Sequence, residues 1–179
     1  QRDIKSIGGA IFQQPGQDGL IHRGFLRGGG FTKEDVRRQP VIGIANSASE
    51  LNPCNAGLDQ LVSEVKAGVR EMGGLPLEFP TISISEPFTR PTSLYLRNLM
   101  SMDVEEMIHT APIDGVVLLG GCDKTVPAQL MGAISAGKPA AMCVAGPRPT
   151  SCFCGKAFTI DDLWPLCQAR DAGEVSDAQ

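Results

Sequence analysis

The chain has 179 residues, of which 42% are hydrophobic and 20% are charged, and its net charge is −4. This size and apolar content predict one domain with a sizeable core. A small negative charge without a basic stripe argues against a nucleic-acid partner, because phosphates require clustered Lys and Arg. No apolar stretch could span a bilayer and no signal peptide is visible, so we predict a cytoplasmic protein with no membrane partner.

Residues 1–39 are rich in glycine and only weakly periodic. They predict an irregular amino-terminal arm with a short helix from Thr32 to Arg38. Because the chain begins with Gln1 rather than Met and stops at Gln179 in mid-pattern, we expect a fragment of a longer protein.

Residues 40–179 alternate between strand and helix patterns. Short apolar or alternating runs predict strands at 41–45, 77–84, 114–119 and 139–144. Apolar residues at helical spacing predict helices at 55–72, 91–109 and 125–136. After an irregular stretch, Thr159–Asp162 predicts the start of a last helix, which Pro165 would kink or end in its first turn.

This alternation predicts a three-layer α/β/α fold with a mostly parallel sheet. In such sheets ligands bind outside the carboxyl ends of the strands. The unusual polar segments each follow one of the four predicted strands, so they could meet on one rim: Asn52–Asn55, Ser85–Pro87, Cys122–Lys124 and Arg148–Cys154.

The segment Cys122-Asp123-Lys124 places a thiol, a carboxylate and an amine directly after a buried strand. Soft sulfur prefers iron or zinc, whereas hard oxygen prefers magnesium or calcium, so the segment predicts a site for two different metals. The alternative is a small buried cysteine beside a solvated Asp–Lys pair at the start of a helix.

Two other sites fit the sequence less well. A phosphate-binding loop would need glycine at positions 118 and 123, which hold Leu118 and Asp123. A nucleophilic cysteine at Cys122 would lack a histidine base.

A structural zinc site around Cys152 and Cys154 is disfavoured, because the chain has no C-x-x-C pair and its two histidines, His22 and His109, are isolated. The role of Cys152 and Cys154 stays open, and His109 is expected to be a helix cap or surface residue. Six cysteines in a composition typical of cytosolic proteins predict reduced thiols or metal ligands rather than disulfides. Cys143 and Cys167 are predicted to be core residues.

Several motifs in order resemble the amino-terminal part of the dihydroxy-acid and sugar-acid dehydratases. This family includes dihydroxy-acid dehydratase, phosphogluconate dehydratase and the arabinonate and xylonate dehydratases. The similarity covers roughly residues 20–150, and the stretch from Ser85 to Thr92 is closer to the sugar-acid branch. The motifs are Asn-Pro-Cys-Asn at 52–55, Gly-Leu-Pro-Leu-Glu-Phe at 74–79, Glu86 with Arg-Pro-Thr at 90–92, and Asp114 to Thr125.

The resemblance implies a hydro-lyase that removes water from a 2,3-dihydroxy carboxylate, a sugar acid such as an aldonate or a dihydroxy acid, to give a 2-keto acid. It implies a [2Fe–2S] cluster, with [4Fe–4S] as the alternative, held by three cysteines of which Cys54 and Cys122 match two. It further implies Mg²⁺ held by Glu86, Asp123 and a carbamylated Lys124, the one residue here with an expected catalytic role.

The third cysteine, the serine base and the carboxy-terminal barrel domain of the family match nothing in this chain. We therefore expect residues 40–179 to be part of the iron–sulfur and magnesium domain, inactive alone, and the intact protein to be a homo-oligomer. The alternative is a non-catalytic α/β domain that binds a small ligand at the same rim.

Overall fold

The computed structural model describes residues 7–36, 39–145, 150–153 and 155–176. The chain forms two compact units, residues 1–145 and residues 146–179. The helices and strands of the first unit are α1 (Ile7–Ile11), α2 (Gly16–Gly28), β1 (Val41–Asn46), α3 (Leu58–Glu71), β2 (Leu75–Pro80), α4 (Arg97–Thr110), β3 (Gly115–Gly120), α5 (Thr125–Ala136) and β4 (Ala140–Val144). Among the described residues, no helix has both the length and the apolar character needed to cross a membrane.

The four strands of the first unit form one sheet in the order β2-β1-β3-β4, and every neighbouring pair is parallel. In the central register Ile44 of β1 lies opposite Glu78 of β2 and Val117 of β3. The predicted parallel sheet is confirmed, and the carboxyl ends of its strands lie at one edge.

Alternating residues of β1 and β3 point to opposite faces of the sheet and form two separate cores. On one face Val41, Ala45 and Leu118 pack with residues of α4, α5 and the amino-terminal segment. On the other face Ile44 and Leu119 pack with residues of α3. Helices cover both faces, which confirms the three-layer α/β/α fold.

The prediction of an irregular arm was wrong for residues 7–11 and 16–28, which form α1 and α2. In α2 the large apolar residues Leu20 and Phe25 are 66% and 80% exposed, so little of the apolar surface of this helix is buried. Hydrogen bonds to the segment just before the helix hold it instead. Arg23 Nη1 donates to the Phe12 carbonyl at 2.7 Å, and Phe12 is buried in the core. Residues 33–36 form a turn rather than the predicted helix, and Arg37 and Arg38 lie outside the described residues.

The other elements of the first unit lie close to their predicted positions. The helix at 125–136 has the predicted bounds, and the first and third strands differ by one residue at their ends. The second strand was predicted too late, since β2 ends at Pro80 and residues 81–84 are irregular. The helix predicted from residue 91 begins at Arg97, after a short 3₁₀ helix at Leu94–Leu96.

The second unit contains an antiparallel pair, β5 (Ser151–Phe153) and β6 (Lys156–Phe158), where irregular chain was predicted. The predicted helix start at Thr159 is confirmed: Asp162 Oδ2 accepts hydrogen bonds from the Thr159 backbone at 2.6 Å and hydroxyl at 2.8 Å. The chain then continues through a 3₁₀ turn into α6 (Leu163–Asp171). Pro165 lies in the first turn of α6 without ending it, because that turn requires no backbone donor.

Two cysteines predicted to be core residues are exposed, so both predictions were wrong. Cys143 lies opposite Leu119 on β4, the edge strand. Its side chain lies on the same face of the sheet as that of Leu119. On this face α3 packs on β1 and β2 rather than on β4. Cys167 lies on α6 in the second unit, where no described residue is buried. His109 is exposed in the last turn of α4, as predicted.

Candidate functional site

Three segments that follow neighbouring strands bring the five predicted site residues to one edge of the sheet. Cys54 lies in the turns between β1 and α3, and Glu86 begins a short 3₁₀ helix after β2. Cys122–Lys124 connects β3 directly to α5. Arg148 and Cys154, which were also predicted near this rim, lie outside the described residues. Cys152 lies in the second unit.

Two thiols interact at this edge. Cys122 is buried and Cys54 is half-buried. Burial raises the pKa of the Cys122 thiol, and contacts with Asp123 and with the Cys54 thiol raise it further. Glycine at position 121 permits the close approach of the two segments that carry Cys54 and Cys122, because a Cβ there would lie 2.5 Å from the Cys54 carbonyl oxygen. A neighbouring pair of thiols fits a soft metal, which would replace their protons and stabilise both thiolates.

Next to the thiols, one amine lies between two carboxylates. Lys124 Nζ lies 2.5 Å from Asp123 Oδ2 and 3.5 Å from Glu86 Oε2. The hydrogen bond to Asp123 raises the pKa of Lys124, and the charges of Asp123 and Glu86 add to this effect. The same hydrogen bond lowers the pKa of Asp123. The ammonium thus lies where two hard oxygen ligands converge, and this donor set fits a hard divalent cation.

Glu86 is held by Thr92 and Ser93, which lie six and seven residues after it in the chain. The Ser93 backbone donates to Glu86 Oε2 at 2.9 Å, and the Ser93 hydroxyl donates to the same oxygen. These bonds, with one from the Thr92 side chain, lower the pKa of Glu86 to about 2. Ser93 is fully buried. Only its position directly after the Arg-Pro-Thr motif could have indicated this role from the sequence.

Arg97 of α4 contacts the segment Cys122–Lys124. Its Nη2 donates to the Asp123 carbonyl oxygen at 3.2 Å, and its charge helps to lower the pKa of Asp123. Its Nε is buried and has no hydrogen-bond partner among the described residues. This contact was not predicted, because it joins residues 26 positions apart on different elements.

No group of three His, Cys, Asp or Glu side chains within the described residues is arranged to hold an ion. A groove of about 610 Å³ lies along β2 and α3, lined by Asn46, Lys66 and Glu78 among others, but none of the five predicted site residues lines it. The five predicted site residues of this unit are two thiols, two carboxylates and one amine.

A parallel α/β sheet with thiols and carboxylates at its carboxyl edge defines a candidate metal-binding domain. Comparison with known proteins identifies its family. Residues 39–179 match the family model described as dihydroxy-acid/6-phosphogluconate dehydratase N-terminal. The chain belongs to this family.

Named relatives agree with the family match. The chain is 44% identical over 160 residues to L-arabonate dehydratase of Azospirillum brasilense, covering 89% of this chain and 27% of that protein. It is 43% identical over 164 residues to L-arabinonate dehydratase of Rhizobium leguminosarum bv. trifolii (strain WSM2304), covering 91% and 28%. It is 38% identical over 161 residues to dihydroxy-acid dehydratase of Koribacter versatilis (strain Ellin345), covering 87% and 28%. The chain thus spans little more than a quarter of the length of these relatives.

Proposed function

We propose that this chain is part of an iron–sulfur hydro-lyase that converts a sugar acid, a 2,3-dihydroxy carboxylate, into a 2-keto acid. The observation that carries the proposal is the adjacency of the Cys54–Cys122 pair to the Glu86–Lys124–Asp123 cluster in a member of a dehydratase family. This chain is more identical to the two arabinonate enzymes than to the dihydroxy-acid enzyme. That difference supports a sugar acid as the substrate.

Cys54 and Cys122 are the proposed ligands of a [2Fe–2S] cluster, with [4Fe–4S] as the alternative. Thiolates are the ligands that iron–sulfur clusters use. The burial of Cys122 supports this role, because a cluster is stabilised where solvent is limited. A further ligand would come from elsewhere in the intact protein. Reduced thiols are required, which fits a cytoplasmic location.

Glu86, Asp123 and Lys124 are the proposed ligands of Mg²⁺. A free ammonium would repel the cation, so Lys124 would act as a carbamate. In that reaction the ammonium first loses one proton to water, and the neutral amine nitrogen then forms a bond to the carbon of CO₂ and releases a second proton to water. The product is an anionic oxygen ligand of the kind Mg²⁺ prefers. The burial of the Lys124 side chain, which is 9% exposed, supports this role by limiting its contact with water.

When bound, the two metal groups would supply Lewis acidity for the departing 3-hydroxyl and for charge that develops next to the carboxylate. The residues of this chain would hold and orient them. The low pKa of Glu86 keeps this ligand ionised even in acid well below neutral pH. We place the base that removes the C2 proton outside this chain, so residues 1–179 alone should not turn over substrate.

The test uses the intact protein, purified without oxygen and assayed with a panel of aldonic acids and with a branched dihydroxy acid. We expect aldonate dehydration and the visible absorbance of an iron–sulfur cluster. Cys54→Ser and Cys122→Ser should abolish that absorbance, whereas the same change at the exposed thiols Cys143 and Cys167 should preserve it. Full iron content in both site variants would contradict the cluster assignment.

The magnesium half of the site is tested in the same preparations. Asp123→Asn and Lys124→Ala should keep the cluster absorbance but lose activity. Mass spectrometry under native conditions should show one added CO₂ in the wild type and none in Lys124→Ala. Activity of either variant near that of the wild type would contradict the assignment.

A further inference from the structure

The side chain of Asn55 lies where the three segments of the candidate site meet, and it is fully buried. Its Oδ1 accepts a hydrogen bond from the Gly121 backbone at 2.8 Å. Its Nδ2 donates to Ser83 Oγ at 2.8 Å and to Thr125 Oγ1 at 3.1 Å. Both amide hydrogens and the amide oxygen are therefore used, each towards a different residue.

The partners of this amide flank the proposed ligands on both sides. Asn55 directly follows Cys54, Ser83 lies three residues before Glu86, and Gly121 and Thr125 enclose Cys122–Lys124. We propose that Asn55 is a positioning residue that fixes the distance between the thiol pair and the carboxylate–amine cluster. This inference rests on the proposed function, since it assigns a role towards the cluster and Mg²⁺.

Only an amide can make these three bonds. A carboxylate of the same shape could not donate to Ser83 and Thr125, and alanine would leave the Gly121 N–H without its partner. Buried donors that lose their partners are costly, so the segments would move apart to reach water or other partners. Residues that orient metal ligands in this way commonly change metal affinity by about 10- to 100-fold when replaced.

Replacing Ser83 would remove only part of the hydrogen-bond network around Asn55. Its hydroxyl accepts from Asn55 and also from Asn52 Nδ2, at 3.2 Å. Asn52 additionally donates to the Ile84 carbonyl at 3.3 Å, so the segment before Glu86 keeps one bond when the Ser83 hydroxyl is removed. Ser83→Ala should therefore loosen only the side of the site that carries Glu86.

The experiment compares Asn55→Ala, Ser83→Ala and Asn98→Ala in the intact protein. Asn98 is an exposed residue of α4 and serves as the matched control. The measurements are visible circular dichroism and electron paramagnetic resonance of the cluster, calorimetric Mg²⁺ affinity and the melting temperature. Asn55→Ala should alter the cluster spectra and weaken Mg²⁺ binding about 10- to 100-fold. Ser83→Ala should weaken Mg²⁺ binding about tenfold with wild-type cluster spectra, and Asn98→Ala should match the wild type throughout.

A purely structural asparagine would lower the melting temperature and leave the spectra and the Mg²⁺ affinity unchanged, and that result overturns the proposal. If Asn55→Ala does not fold, Ser83→Ala decides, because unchanged Mg²⁺ affinity in that variant also overturns it. A wild-type protein without cluster absorbance would overturn the proposed function itself. Normal wild-type absorbance with unaffected variants would overturn only the role of Asn55.

Discussion

The acidity of Glu86 comes from residues that follow it in the chain more than from the amine that it approaches. The Ser93 hydroxyl is the main cause of its low pKa, followed by the Thr92 side chain and the Ser93 backbone, whereas the charge of Lys124 contributes least. Hydrogen bonds to a carboxylate favour its charged form. This ligand is thus ionised by its own segment and would not depend on Lys124, whose charge the proposed carbamylation reverses.

Replacing Ser93 by alanine should raise the pKa of Glu86 from about 2 towards its ordinary value of 4.5. A depressed carboxyl pKa stabilises the folded state above the unfolded pKa, and that contribution is lost as the pH falls from 4.5 through 2. The wild type should therefore lose more stability than Ser93→Ala between these pH values. NMR titration of the Glu86 carboxyl carbon, with urea unfolding at both ends of the range, measures this.

The control for this prediction is Ser135→Ala, which removes a hydroxyl–carboxylate hydrogen bond of 2.6 Å to Glu105 at an exposed position. It should leave the titration of Glu86 unchanged. A Glu86 titration in Ser93→Ala that coincides with that of the wild type would show that the Ser93 hydroxyl does not set its acidity.

At the level of helices and strands, the sequence predicted the elements that carry a clear apolar run or apolar period. The strands β1 and β3 are continuous apolar runs because both of their faces are covered. By contrast, α2 depends on contacts such as that of Arg23 with the Phe12 carbonyl, and β5 and β6 are three residues each. Such elements have too little periodic burial to be recognised from one sequence.

The candidate site shows the same difference between features that a local sequence pattern reveals and features that it does not. Cys54, Glu86 and the segment Cys122–Lys124 were predicted to lie on one rim because each follows a strand, and parallel strands bring such segments to one edge. Their expected roles as ligands came from the resemblance to the dehydratase family. The contact of Asn55 with Thr125 joins residues 70 positions apart, and it depends on side-chain positions that no local pattern encodes. The sequence could therefore identify candidate ligands but not the residues that hold them in place.

The packing of α4 on α5 depends on a glycine. A Cβ at position 132 would lie 2.5 Å from the Ser101 carbonyl oxygen and 2.8 Å from Val104 Cβ. Because backbone atoms cannot move aside easily, Gly132→Ala should destabilise the fold by about 1–3 kcal/mol. Gly68 of α3 is the matched control, since a Cβ there meets no atom within 4 Å. Gly68→Ala should stabilise by about 0.4–1 kcal/mol, and urea unfolding that gives both variants the same sign would contradict this account.

At the scale of the whole sheet, the two edge strands differ in their capacity to pair. The Leu75 N–H donates to the Pro40 carbonyl, so this N–H points towards β1. Backbone N–H groups alternate in direction along a strand, so positions 76, 78 and 80 of β2 face away from β1. Two of these are prolines without an N–H, and this blocks further pairing. On β4 the corresponding outward positions are Ala140, Met142 and Val144, all with donors, and no described strand pairs with that edge.

An open, apolar edge is a site for association with another strand. We therefore expect the 179-residue chain to self-associate at high concentration through β4, where Val144 is 55% exposed. A lysine on an edge strand opposes such pairing, so Val144→Lys should shift sedimentation towards monomer without lowering the melting temperature. Met72→Lys removes a more exposed apolar side chain, 87% exposed, at the end of α3 rather than at an edge, and should leave association unchanged. If both substitutions reduced association equally, general apolar exposure rather than the unpaired edge of β4 would be the cause.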